Sequence, residues 1–202
     1  AYNDDINNSK KPKLPITTDM LRLMSRQLNP HVRCDSLVMA MIWVATSAML
    51  RISEFTSDHK NNDRLLSMNQ LTFIDEQDKI IECINIHQKY KIKRAILHLH
   101  QSKTDPFRKG VDIIIASAEA IQALTQYLMH TQQENQGKRS PLFRFPDGNP
   151  INGQWFMKQV SILLSNAGYN SSNYSSHSFR KGGAVSLLHN GVSDSIIRQM
   201  GR

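Results

Sequence analysis

Apolar residues fill almost every position from Leu37 to Leu50, broken only by Thr46 and Ser47. The pattern predicts a helix from about Val32 to Leu50 that is apolar around most of its circumference and therefore central. Ahead of it, Thr17, Thr18 or Asp19 offers a side-chain acceptor to free backbone N–H groups and opens a helix running to about Gln27, where Asn29-Pro30 stops it. From Leu71 the period shortens. Leu71, Phe73, Ile80, Ile81, Ile84 and Ile86, then Ile92, Ile96, Leu97 and Leu99, then Val111, Ile113 and Ile115 predict a three-stranded antiparallel sheet. Its last connection, Thr104 to Gly110, has the Pro and Gly of a turn and puts Gln101 to Lys103 at a hairpin tip. Ser117 caps a helix to about His130, and Leu142 to Phe145 reads as a short extended segment. Gly153 to Asn166, His177 to His189 and Ser193 to Met200 read as closing helices, the last two separated by Asn190-Gly191. Residues 1–13, polar and rich in Asn, Asp and Lys, read as a linker, and 14–202 as one domain of α+β class, mainly helical.

The composition, with 40% hydrophobic and 7% aromatic residues, is that of a globular protein. Twenty-five Lys and Arg against 17 Asp and Glu leave a net charge of +8, which favours a polyanionic partner, nucleic acid first. Only Cys34 and Cys83 occur, far apart, which excludes a disulfide framework and a Cys-x-x-Cys metal or redox site and favours a reducing compartment. The most apolar stretch is too short to cross a bilayer, so no membrane partner is expected.

The informative segment is Ser176 to Arg202. His177 and Arg180 lie three apart at a helix start, on one face, beside the partial positive charge of the helix N-terminus. They form an anion site with one titratable member. Taken alone, His-x-x-Arg arises often by chance; Arg51 with Glu54 reads equally as a surface ion pair, and a turn lysine such as Lys103 or Lys109 as a solvated charge.

The order of these pieces resembles the tyrosine recombinases, or phage integrase-like enzymes. Met49-Leu50-Arg51-Ile52-Ser53-Glu54-Phe55 matches the family's Leu-Arg-x-x-Glu at the end of a buried helix. Ser102-Lys103-Thr104-Asp105 matches its hairpin lysine. The His177-x-x-Arg180 segment, with Gly182-Gly183-Ala184, the Asn190-Gly191-Val192 turn and the helix into Met200-Gly201-Arg202, matches its second signature, and the resemblance covers about residues 12–202.

The resemblance implies phosphoryl transfer without a metal or other cofactor, in which a tyrosine attacks a DNA phosphate and a 3′-phosphotyrosyl link stores the bond energy. Arg51 and Arg180 would stabilise charge on the non-bridging oxygens, and Glu54 would orient Arg51. Lys103 would protonate the leaving oxygen, His177 would assist binding and proton movement, and Lys181 would add a DNA contact. The partners implied are duplex DNA and further protomers, a tetramer on DNA, in a compartment that holds DNA. The sequence stops at Arg202, before the family's Trp or His and its nucleophilic tyrosine, while Tyr169 and Tyr174 lie on the wrong side of His177. The expectation is a portion inactive by itself. A recombinase-derived DNA-binding module without chemistry and a type IB topoisomerase-like enzyme stay open.

Overall fold

A computed structural model of the chain describes residues 12–57, 65–82, 91–100, 110–131, 137 and 139–201. Among them are seven helices and one antiparallel sheet, which bears out the α+β, mainly helical expectation. Helix α1 spans Thr18–Ser25, with the Thr17 hydroxyl accepting from the Met20 N–H. Helix α2 spans Arg33–Ser47 and buries ten of its 15 residues, so it runs through the core rather than over it. It touches α1, α4 (Ala118–Thr131), α5 (Gly153–Asn166) and α6 (His177–His189). A one-turn helix, α3 (Ile52–Phe55), follows α2, and α7 (Asp194–Met200) follows α6. No helix of the described residues is long and apolar enough to cross a membrane.

The sheet has four strands, not three: β1 (Leu71–Asp75), β2 (Ile80–Glu82), β3 (Ile92–Leu99) and β4 (Val111–Ile115), in the order β2-β1-β3-β4. The extra strand comes from a tight turn inside what reads as one apolar run. The Asp75 carboxylate accepts from the Gln77 and Lys79 N–H groups, and Asp78 takes a positive φ of 56°. The chain therefore doubles back, pairing Ile74 with Ile80. Leu71, Phe73, Ala95, Leu97, Leu99, Ile113 and Ile115 face the core. On the outer face His98 Nδ1 sits 2.7 Å from Asp112 Oδ1, and its Nε2 sits 3.1 Å from Thr72 Oγ1.

Four phenylalanines tie the helical half together. Phe55 on α3 meets Phe143 edge-on at 6.2 Å and Phe156 on α5 at 5.4 Å, and Phe156 meets Phe179 on α6 at 5.5 Å. Each such pair contributes about 0.5–1.5 kcal/mol beyond its area burial. The segments bearing Arg51 and Arg180 are thus fixed to one aromatic row.

Candidate functional site

Helix α2 ends in a Schellman turn. The Leu50 N–H donates to the Ala45 carbonyl (3.0 Å), the Met49 N–H donates to that of Thr46 (3.1 Å), and Met49 has a φ of 46°. The reversal sends the chain straight into α3, so Arg51 does not end the long helix as the motif suggests: it stands at the cap of the next one. There the Glu54 carboxylate accepts from the Arg51 backbone N–H (2.8 Å) and from Arg51 Nη1 (3.2 Å). The Glu54 side chain is 4% exposed and that of Arg51 21%, so a buried carboxylate aims a guanidinium that still reaches solvent.

Helix α6 is pressed onto this junction by its glycines. A Cβ on Gly183 would collide with the Thr46 carbonyl oxygen, and one on Gly182 with the Ile16 carbonyl oxygen; glycine is what lets the backbones meet. Phe179 points into the core and leaves Arg180 half-buried, its Nη1 donating to the Met49 carbonyl at 3.0 Å. The two arginines, 129 positions apart in sequence, are brought onto one junction: Arg180 bonds the carbonyl two residues before Arg51. His177 is exposed, in the first turn of the same helix, and the other end of the Arg180 guanidinium faces Gly201, at 3.7 Å from where a Cβ would stand.

Lys181 is turned elsewhere, donating to the Lys13 carbonyl at 2.6 Å. It is one of several ties holding the lead-in segment against α6 and the turn before it: the Leu14 N–H donates to the Asn173 carbonyl and the Ile16 N–H to that of Ser178 (2.9 and 3.0 Å). Lys103 and Lys109 lie outside the described residues, as does the 101–103 hairpin tip. The strand that follows them, β4, borders the junction across a hollow of about 320 Å³ lined by Ala48, Met49, Val111, Ile113 and Met200. Tyr174 packs edge-on against Tyr169 at 6.3 Å; burial, and then Tyr169, push its phenol above the ordinary value, opposite to what a nucleophile needs.

Arg180, in the first turn of a 13-residue helix, and Arg51, on the adjoining segment, are cationic groups of the kind that suits an oxyanion with several oxygens. Sequence reasoning missed Met49, whose left-handed turn is normally a glycine's, and the lead-in contact, whose only sequence signal is the Gly182-Gly183 pair.

No sequence-family profile and no curated protein matches the chain. Solved structures do resemble it. They include a XerA recombinase (TM-score 0.62, 15% identity, 94% of this chain and 56% of that one). The XerH site-specific recombinase bound to difH substrate, a pre-cleavage complex, gives 0.64 at 13% identity over 93% of this chain and 47% of that one. XerH on palindromic difH, a post-cleavage complex, gives 0.67 at 12% identity over 97% and 48%. The fold is theirs. The chain spans about half the length of these recombinases.

Proposed function

We propose that this chain is the phosphate-gripping part of a site-specific DNA recombinase of the tyrosine type, cutting and rejoining duplex DNA through a 3′-phosphotyrosyl intermediate. The observation that carries the reading is the Arg180 guanidinium on the Met49 carbonyl, beside an Arg51 aimed by buried Glu54. That convergence links motifs far apart in sequence, and the likeness to recombinases solved on DNA supports the choice of substrate.

In this reaction a tyrosine oxygen attacks phosphorus and forms a new P–O bond while the bond to the 5′ oxygen breaks. Arg51 and Arg180 offset the charge that gathers on the non-bridging oxygens, which water would stabilise less well because it must reorganise. Lys103 delivers the proton to the departing 5′ oxygen, and His177 helps bind the phosphate and move the proton from the tyrosine. Lys181 adds a backbone contact, and further protomers assemble on the DNA, as a tetramer in the synaptic complex. We assign the nucleophile to a tyrosine following residue 202, because Tyr169 and Tyr174 precede His177, the wrong side for the nucleophile of the tyrosine recombinases that the chain resembles.

The test is adduct formation on a nicked suicide substrate carrying the cognate site, selected from random-sequence duplexes. A protein extended through the native downstream tyrosine should form a covalent DNA adduct, and residues 1–202 alone should not. In the extended protein Arg180→Ala should depress adduct formation about a hundredfold or more. Lys103→Ala should slow departure of the 5′ oxygen with less effect on binding. An extended protein that binds duplex DNA yet never forms the adduct would favour a binding module without chemistry.

A further inference from the structure

Met49 occupies the one position of the α2 terminus where the backbone turns left-handed, and it is not glycine. An L side chain disfavours that conformation, so it persists only where the surroundings over-determine it. Here three things do. The paired bonds of the Schellman turn fix the N–H groups of residues 49 and 50. Met49 is buried, 2% exposed, and its Cγ fills the space where a Cβ on Gly183 would have to stand, 2.7 Å from that position. Its carbonyl accepts from Arg180 Nη1.

Had the backbone continued as α-helix, the Met49 carbonyl would point along the α2 axis; the left-handed turn swings it onto Arg180. A carbonyl also differs from a carboxylate in that it orients a guanidinium without cancelling its charge. The methionine side chain adds what glycine could not, a grip on the helix that carries the arginine.

We infer that Met49 is a positioning residue: its left-handed backbone aims Arg180, while its buried side chain adds stability to the seating of α6. The inference rests on the proposed function, in that Arg180 is taken to hold a DNA phosphate.

The test uses the 202-residue chain and a fluorescein-labelled duplex, with affinity followed by anisotropy from about 50 to 200 mM salt. Arg180→Ala should weaken binding several-fold and lower the slope of log affinity against log salt by about 0.9, the loss of one phosphate contact. Met49→Val keeps apolar bulk but, being β-branched, resists the left-handed turn, and should lose as much as Arg180→Ala. Met49→Asn and Met49→Gly accept the turn and should recover most of the slope although they unfold at lower temperature. A role in packing alone predicts the reverse order, with valine binding best and glycine worst; that result overturns the inference. If Arg180→Ala weakens binding while Met49→Val matches the unsubstituted protein, the inference falls and the phosphate reading stands. If Arg180→Ala itself matches, both fall. Should the valine variant fail to fold, Met49→Ala against Met49→Asn makes the same comparison, with alanine expected below asparagine.

Discussion

At the junction of α2, α3 and α6 the arginines are held by backbone and by a buried carboxylate, whereas charged side chains on the molecule's outer surfaces hold one another. Arg180 rests on a main-chain carbonyl and Arg51 on a Glu54 that is 4% exposed. On the sheet, His98 meets Asp112 at side-chain exposures of 35% and 66%, and between α1 and α4 Arg22 meets Glu119 at 51% and 40%. The outer pairs lose side-chain entropy to form and are screened by salt. The junction has its ordering built into the fold, so on the proposed function an arriving phosphate would meet groups already aimed at it. The difference in anchoring, more than the number of charges, separates the junction from the charged surface around it.

If that contrast holds, the largest effect should come from the close approach that creates the junction. Gly183→Ala forces a methyl group into the Thr46 carbonyl oxygen, a backbone atom that cannot swing aside as a side chain would. It should cost about 3 kcal/mol, the upper end of overpacking, read as a lower urea midpoint. A midpoint equal to that of the unsubstituted protein would mean that α6 does not press on α2. Next comes Glu54→Ala, which strips a half-buried arginine of its partner and should cost about 2 kcal/mol. Glu54→Gln keeps an acceptor for the Arg51 N–H and should fall between. Equal losses for the two would show that only the charge matters.

The smallest effect belongs to the outer pair. The Arg22 guanidinium, first by its hydrogen bond, holds the Glu119 carboxyl below its ordinary value. A carboxyl lowered by folding contributes stability that is present above its unfolded value, near 4.3 in general, and lost as pH falls through the folded value. Glu119→Gln should therefore leave the neutral-pH midpoint almost unchanged and only flatten the acid limb of a stability-against-pH curve. A clear loss at neutral pH would move this pair into the junction's class.

Much of this was legible in the sequence. The bounds read for Gly153–Asn166 and His177–His189 are those found, because Asn152 caps the first and Asn190-Gly191 stops the second. The sheet was short by one strand because an Asp75 turn hides inside an apolar run. The Leu50-Arg51 motif was found but set on the wrong helix, since a methionine at a left-handed position carries no local signal. The meeting of Gly182 with Ile16 and of Arg180 with Met49 could not be read from spacing, because each joins segments whose proximity is decided by the whole core.

That long reach bears on when the protein becomes competent. Arg180 finds its carbonyl 131 residues back in the chain, and Lys181 finds its own 168 back. Contacts of such separation carry the full entropy of loop closure and form late. A ribosome emits Arg51 and Glu54 well before the glycines of α6, at about 5–20 residues per second. During that interval the nascent chain displays one arginine of the pair without the other. On the proposed function, grip on a phosphate by both begins only after α6 has left the exit tunnel and seated, which would place a delay between synthesis and any hold on DNA.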